Sequence, residues 1–344
     1  MTEIEIPYCT RRAVQRELGY ADSVRLNKRI DEKILQASRD VEALCHRRFY
    51  PWTGTRLFDV PETDTLFLGE NELAEVDAIT SGASAMTADD YVLRPSSGPP
   101  YTRLDVRWSG SVGWESDQTW QEAIAITGTY HYPVRQEAGP DLAGSITDSA
   151  TTLQASTSEY ASAGSLLLIE DERLLVTGER SVDTGVALTA ALAANKGQST
   201  VTVDDGDAIE LGEQIIIDGE TMFVEHILGD TLIVTRGQNG SVLAAHEIGA
   251  QVWAPRSLTV TRGILGSTPA AHAGDTQIYL LRAPSLVEEL TMAYAITALE
   301  QGSSGYGRVV GSADNQREAA GRGVQALADR VYAAYGRKAR GRAI

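Results

Sequence analysis

The chain contains two internal duplications whose copies follow one another in an unusual order. Residues 151–176 align without a gap to residues 199–224, at an offset of 48. Residues 231–253 align in the same way to residues 257–279, at an offset of 26. Repeats at a fixed spacing indicate repeated structural modules. The front half of one module is therefore followed by a whole second module, and only then by a remaining back half.

This order allows two arrangements of the repeated segment. The first is a nested insertion, in which one small β-module lies in a loop of its own copy, and this is the arrangement we expect. The second is a pair of tandem modules that exchange their last strands. In the nested form strand 257–261 pairs with residues 165–177. In the exchanged form that strand pairs with the front half of the second module.

The duplication also relates several residues that could carry chemistry. His246 and His272 occupy equivalent positions, and Glu220 repeats Glu172, which lies two positions after Glu170. A residue kept in both copies of a module suggests a shared structural task, such as a hydrogen bond that fixes a turn. We therefore predict structural roles for these side chains.

Patterns typical of catalysis are missing from the sequence. The histidines fall in no HExxH motif, no GxSxG motif occurs, and the glycines near residue 305 do not have the spacing of a phosphate-binding loop. The acidic run 204–213 does not have the spacing of an EF-hand and is interpreted as a hairpin turn, with a weak surface cation site as the alternative. Cys9 and Cys45 are expected to be buried free thiols. We expect no catalytic residue, cofactor or metal, and therefore no enzyme.

Hydrophobic periodicity divides the rest of the chain into helical ends and a β-rich middle. A short helix is predicted over 11–18, between Thr10 as N-cap and Gly19 as stop, and a longer one over 23–49. Short alternating segments over 55–133 predict a small antiparallel sheet. A helical period returns after residue 283 and again over 313–335.

The predicted fold class is α+β, with a helical core and small antiparallel sheet plus an inserted all-β domain made of two related modules. The predicted domains are the N-terminal part of the core at 1–141, the insert at 142–282, and the C-terminal helices and basic tail at 283–344. Two termini that belong to one core are what a domain inserted in a loop requires.

Charge is distributed unevenly along the chain. The net charge is −17, which opposes tight binding of phosphate backbones. Residues 308–344 nevertheless hold eight Arg or Lys against three acids. Such a basic end predicts an interaction tail that docks on an acidic partner, and the alternative is a solvated helix face with a frayed end. No uncharged apolar run is long enough for a membrane span, and the N-terminus lacks the features of a secretory signal.

The N-terminal segment resembles the head–tail connector adaptors of long-tailed bacteriophages. A short helix, a longer helix ending in VEALCHRRFYPW, and the strands TRLFDV and TLFLG follow that family's pattern. Arg48, Phe49, Arg56 and Asp59 stand at the matching places. The resemblance extends to the C-terminal helices, and together it covers about 1–135 and 283–344, but the repeated middle has no counterpart in small family members.

The resemblance implies a virion structural protein at the head–tail junction, made in the host cytoplasm. Family members form a ring of twelve subunits beneath the portal and receive the stopper or tail below, while DNA passes through the lumen without specific binding. Arg337, Lys338, Arg340 and Arg342 are predicted to dock on the portal. The β-insert is expected to project outward and to brace the capsid or decorate the collar.

Two other functions are compatible with the sequence. Repeated β-modules are also typical of tail or baseplate proteins, which form rings of three or six subunits. A glycan-binding module is a further alternative, but residues 160–280 hold few aromatic side chains, namely Tyr160, Phe223, Trp253 and Tyr279.

Overall fold

The computed structural model describes residues 4–19, 24–69, 71–116, 118–159, 161–303, 309–310, 317–318 and 322–337. Its helices are α1 (Arg11–Leu18), α2 (Val24–Cys45), α3 (Ser285–Ser303) and α4 (Arg322–Tyr335). The strands before the repeats are β1 (Trp52–Phe58), β2 (Thr65–Phe67), β3 (Leu73–Ser81), β4 (Ser84–Met86), β5 (Tyr91–Arg94), β6 (Arg103–Val106), β7 (Ile124–Tyr130) and β8 (Arg135–Asp141). The remaining strands are β9 (Thr152–Gln154), β10 (Leu166–Ile169), β11 (Glu172–Ala187), β12 (Thr200–Thr202), β13 (Gln214–Ile217), β14 (Glu220–Leu228), β15 (Thr231–Thr235), β16 (Gln251–Thr261), β17 (Gln277–Arg282), β18 (Val309–Val310) and β19 (Arg317–Glu318).

Helix α1 has the ends that the sequence predicts. The Thr10 hydroxyl accepts a hydrogen bond from the Ala13 N–H, and Gly19 adopts the left-handed conformation at φ 61°. A hydroxyl at the N-cap and a glycine after the last turn satisfy backbone groups that a helix leaves unpaired. Helix α2 is shorter than predicted and ends at Cys45.

The chain forms two compact units. The first comprises residues 1–41, 136–264 and 268–331, and the second comprises residues 42–135, 265–267 and 332–344.

The first unit contains the repeated modules, and their strand pairing is nested. Val176 of β11 lies opposite Val260 of β16, so that residues 257–261 pair with residues 175–180. The back half that follows the second module therefore returns to the front half that precedes it, and the nested arrangement is confirmed. We call residues 142–180 with 257–281 the outer module, and residues 188–254 the inner module.

The two modules have the same internal register. Val224 lies opposite Val234 in the inner module, and these residues are the counterparts of Val176 and Val260 under the two sequence offsets. A β-bulge follows at the same place in both modules. The inner module closes this hairpin with Gly229 and Asp230, whereas the outer module carries residues 181–256 there. A two-residue turn has thus been replaced by a whole module.

Each module has its own apolar core. The outer core consists of Leu142, Leu153, Ala155, Ala161, Leu167, Ile169, Leu174, Val176, Leu258, Val260, Ile278 and Leu280. The inner core consists of Val186, Leu188, Leu192, Val201, Val203, Ile209, Ile215, Ile217, Met222, Val224, Leu232, Val234 and Val252. A polar contact joins the modules, because the buried carboxylate of Glu213 accepts hydrogen bonds from the Ser158 N–H and from Arg256.

Helix α1 contacts both modules and also packs on other helices. Arg12 of α1 forms an ion pair with Glu179 of β11, and the guanidinium of Arg16 lies 4.9 Å from the centre of the Phe223 ring. Helices α1, α2 and α3 share a small apolar core of Cys9, Val14, Ile30, Ile34, Ala37, Ala295 and Leu299. Cys9 and Cys45 are free and buried, as predicted.

The second unit is a small β-sandwich. One sheet has the order β1-β7-β3-β4 and the other has the order β2-β6-β5. The inner faces of the two sheets meet in one core of Leu66, Leu68, Leu73, Ile79, Met86, Leu104, Ile124, Ile126 and Tyr130. All pairings in both sheets are antiparallel, as predicted.

The predicted fold class, an α+β protein with a helical core and an inserted β-domain, is wrong. Strands make up 37% of the structure and helices 20%. The dominant element is a ten-stranded sheet that runs through both modules. It is continuous because β11 and β16 extend beyond the outer module and stay paired, with Val186 opposite Val252. The described helices do not form a core from which the modules project.

Candidate functional sites: paired Arg–Glu–His clusters and the base of the basic tail

The inner module contains a buried cluster of charged side chains at one end of its sheet. Glu220 begins β14 after a tight turn at Asp218, Arg236 follows β15, and His246 lies in the loop before β16. The side chains of Glu220, Arg236 and His246 are completely buried. The segments that contain Asp218, Arg236 and His246 are therefore held together around the Glu220 carboxylate.

Hydrogen bonds within this cluster saturate the Glu220 carboxylate. Arg236 binds it with two parallel bonds, of 3.0 Å from Nε to Oε1 and 2.7 Å from Nη2 to Oε2. The N–H groups of Gly237 and Ala244 donate to the same carboxylate at 3.1 and 2.9 Å. His246 Nε2 lies 2.9 Å from Glu220 Oε2. Charge-assisted and bidentate bonds of this kind are stronger than neutral ones and fix geometry.

The same cluster recurs in the outer module. Arg262 binds Glu172 with bonds of 2.9 Å from Nε and 2.5 Å from Nη2, and the N–H groups of Gly263 and Ala270 donate to the same carboxylate. His272 Nε2 lies 2.8 Å from Glu172 Oε2. The residues correspond one for one to those of the inner cluster under the two offsets of the duplication.

Each histidine lies between two carboxylates. His246 Nδ1 is 2.9 Å from Asp218 Oδ2, and His272 Nδ1 is 2.8 Å from Glu170 Oε2. Asp218 and Glu170 both adopt the left-handed conformation, at φ 48° and 52°, which residues other than glycine seldom occupy. Each ring therefore connects the turn residue to the central glutamate of its cluster.

The environment of the two central glutamates favours their ionised form. Burial raises the pKa of Glu220, but the hydrogen bonds from Arg236, Ala244 and His246 outweigh it and lower the pKa to about 2. The pKa of Glu172 is also lowered, because bonds from Arg262, His272 and Ala270 outweigh its burial. Both carboxylates therefore stay charged and bound under ordinary conditions.

These contacts assign the clusters a structural role. The prediction that His246, His272, Glu172 and Glu220 fix turns is confirmed, and Glu170 has the same role through His272. The sequence analysis did not identify Arg236 and Arg262 as members of the clusters. The available signal was the Thr-Arg-Gly segment, which is repeated at 235–237 and 261–263. An arginine and a glutamate that are both present in the two copies of a module indicate an ion pair between them.

A second candidate site lies in the β-sandwich unit, where the residues of the family motif are found. Phe49 is buried, at 1% exposure. Its ring makes edge-to-face contacts with Tyr132 and Tyr335, at centroid distances of 5.8 and 6.1 Å. Tyr132 and Tyr335 also contact each other edge to face, at 5.8 Å. The motif segment and the end of the last helix therefore lie in one aromatic cluster.

The other motif residues are distributed around the same unit. Arg56 stacks its guanidinium over Trp52, 4.5 Å from the ring centre. Asp59 accepts a hydrogen bond from the Glu122 N–H at 2.9 Å. Arg48 is exposed. The structure thus gives Phe49, Arg56 and Asp59 local structural contacts.

Arg337, the first residue of the predicted docking tail, has several contacts in the second unit. The Arg337 N–H donates to the Cys45 carbonyl at 2.9 Å, and its guanidinium donates to the Gly69 carbonyl at 3.0 Å. The same guanidinium lies 3.6 Å from Glu72. Lys338, Arg340 and Arg342 lie outside the described residues, so portal docking by these four residues stays a prediction.

In the described ranges, no three His, Cys, Asp or Glu side chains are grouped as metal ligands. Within that same part of the chain, every helix is too short or too polar to cross a lipid bilayer.

Comparisons with known proteins provide no relative. No protein-family model, no curated protein sequence and no solved structure matches this chain.

Proposed function

We propose that this chain is a virion structural protein that forms an adaptor ring between the portal and the stopper or tail of a long-tailed bacteriophage, with DNA passing through the lumen. The proposal is carried by the aromatic cluster of Phe49, Tyr132 and Tyr335. This cluster places the motif that resembles the adaptor family in one unit with the end of the last helix. An adaptor needs this connection, because the C-terminal segment that docks on the portal must be attached to the unit that forms the ring.

The base of the tail supports the same function. Arg337 is held by Cys45, Gly69 and Glu72, so the first residue of the predicted tail has a defined position. A basic segment attached to an acidic subunit suits docking on an acidic partner. The acidic surface of the rest of the chain suits a channel that lets DNA pass without binding it.

Removal of the tail tests this proposal. Deleting 338–344 leaves Arg337 and its contacts in place, so we expect unchanged thermal unfolding together with loss of binding to the cognate portal protein. A variant with Lys338, Arg340 and Arg342 replaced by alanine should behave in the same way if charge is responsible. Normal portal binding by both variants would contradict portal docking by the tail.

One observation favours a second candidate, a tail or baseplate structural protein. The structure is mostly β, and its largest sheet is built from two nested copies of one module. Modules of this kind suit rigid extended assemblies. The rotational symmetry of the assembled protein separates the candidates, because an adaptor predicts twelve subunits and a tail or baseplate ring predicts three or six.

A further inference from the structure

The outer face of the smaller sheet in the sandwich is basic. Phe67, Arg103 and Arg94 lie side by side across β2, β6 and β5, and their side chains alternate with Leu66, Leu104 and Leu93, which face the core. Phe67 is 55% exposed, and the two arginine side chains are 42% and 45% exposed. We call these three residues the basic face.

One carboxylate partly compensates the arginines of the basic face. Asp105 Oδ2 lies 3.2 Å from Arg94 Nε, and its Oδ1 lies 3.6 Å from Arg103 Nε. Two guanidinium groups share this single carboxylate, so the face keeps a positive charge. A net positive patch is unusual on a chain whose charge is −17.

The outer face of the larger sheet is acidic. Glu75 of β3 lies opposite Thr129 of β7, in the row whose side chains point away from the core. Asp77, at a bulge in the same strand, is exposed as well. No cation among the described residues forms an ion pair with either carboxylate. Leu57 of β1 extends this outer face and is 54% exposed. We call Glu75, Asp77 and Leu57 the acidic face.

The two faces lie on opposite sides of the sandwich. The inner sides of both sheets meet in one core, which contains Leu66 and Leu104 from one sheet and Ile124 and Ile126 from the other. The outer sides of two sheets packed in this way point in opposite directions. Each subunit therefore carries a basic apolar surface on one side and an acidic apolar surface on the other.

We propose that the basic face of one subunit binds the acidic face of the next copy of this chain, and that repetition of this contact closes the ring. The inference rests on the proposed function and adds the surfaces by which the ring forms. Two different complementary surfaces on one molecule produce head-to-tail association, which closes into a ring when the rotation permits. Exposed aromatic and apolar side chains next to arginines are typical of interface centres.

Charge decides in favour of head-to-tail contact over a two-fold dimer. A two-fold contact through the basic face would bring Arg94 and Arg103 against the same arginines of the other copy. A two-fold contact through the acidic face would oppose Glu75 to Glu75. Like charges across an interface disfavour association, whereas opposite charges select partner and orientation.

Charge reversal with recombination tests this interface. One variant carries Arg94→Glu with Arg103→Glu, and the other carries Glu75→Arg with Asp77→Arg. Sedimentation of the full-length chain should show that each variant alone has a dissociation constant raised about 100-fold. An equimolar mixture should reassemble, because each reversed face then meets a face of opposite charge. The single changes Arg103→Glu and Glu75→Arg provide a milder pair if a double variant unfolds.

The outcomes separate this inference from the proposed function. Glu247→Arg, which changes an exposed acid of the inner module, is the matched control and should assemble as the wild type does. If the wild type forms rings and the reversed variants form them equally well, or if the mixture stays monomeric, the interface is wrong while the ring remains. If the wild type itself forms no ring at any concentration, both the interface and the proposed function fail.

Discussion

Glu220 and Arg236 form a bidentate ion pair in which both side chains are completely buried, with 2.7 Å between Oε2 and Nη2. Removal of one member of such a pair leaves an unpaired charge at a buried position. We therefore expect Glu220→Gln to lower the free energy of unfolding by about 3 kcal/mol, measured by chemical denaturation. Glu247→Gln is the matched control at an exposed position and should change it by less than about 0.5 kcal/mol. If both substitutions lowered the free energy of unfolding by the same small amount, the cluster would not stabilise the fold as expected.

Because the cluster is duplicated, we also predict which module each substitution destabilises. Glu172→Gln removes the counterpart of Glu220 in the outer module, where it binds Arg262 and His272. Hydrogen exchange should increase mainly in the outer module for this variant and mainly in the inner module for Glu220→Gln, because each cluster holds its own loops. Identical exchange patterns in the two variants would show that the modules open as one unit.

The pH dependence of stability follows from the same carboxylate. The folded state lowers the pKa of Glu220 from its ordinary value of 4.5 to about 2. The unfolded chain therefore takes up the proton first as pH falls, and the stabilisation by ionised Glu220 is full above about pH 4.5 and disappears as pH approaches 2. The difference in unfolding free energy between wild type and Glu220→Gln should shrink as pH falls below 4.5. A difference that grows on acidification would have the wrong sign.

The aromatic cluster can be tested by a double-mutant cycle. Phe49→Ala should destabilise the protein by about 3–5 kcal/mol, because a buried ring is lost. Combined with Tyr335→Ala it should reveal a coupling of about 1 kcal/mol, since the two rings contact each other edge to face. Trp108→Ala, at a fully exposed position of the same unit, is the control and should cost much less. Strict additivity of Phe49→Ala and Tyr335→Ala would exclude a direct contact.

The nested arrangement predicts that the inner module can be removed. Arg180 and Ser257 are the counterparts of Leu228 and Thr231, which flank the two-residue turn of the inner module. A chain in which Gly-Asp replaces residues 181–256 should keep the outer module folded, because a short hairpin turn already closes the same register in the copy. Circular dichroism and hydrogen exchange over 142–180 measure this. Unfolding of the outer module in that variant would mean that its strands need the long ribbon of β11 and β16.

The sequence predicted how strands pair within the modules, but it did not predict the continuous sheet that joins the modules. The offsets of the duplication predicted that 257–261 would return to the first copy, and Val260 lies opposite Val176 accordingly. Residues 181–187 and most of 251–256 form the ribbon between the modules, and no repeat comparison predicts that these two segments pair with each other. Because that ribbon makes the sheet continuous, the predicted separation into helical core and β-insert was wrong.

The candidate sites were predictable to different degrees. Equivalent positions of His246 and His272 indicated turn-fixing roles, which the hydrogen bonds confirm. The helical periodicity showed which residues of α1 are apolar but not that Arg12 would pair with Glu179 on the sheet. A long polar side chain reaches partners that depend on the tertiary fold, and local spacing carries no information about them.

The most direct test of the proposed function is the rotational symmetry of the assembled wild-type protein, determined by electron microscopy of the purified full-length chain. The adaptor function predicts closed rings of twelve subunits with an open central channel. Rings of three or six subunits, or a protein that stays monomeric at all concentrations, would contradict it.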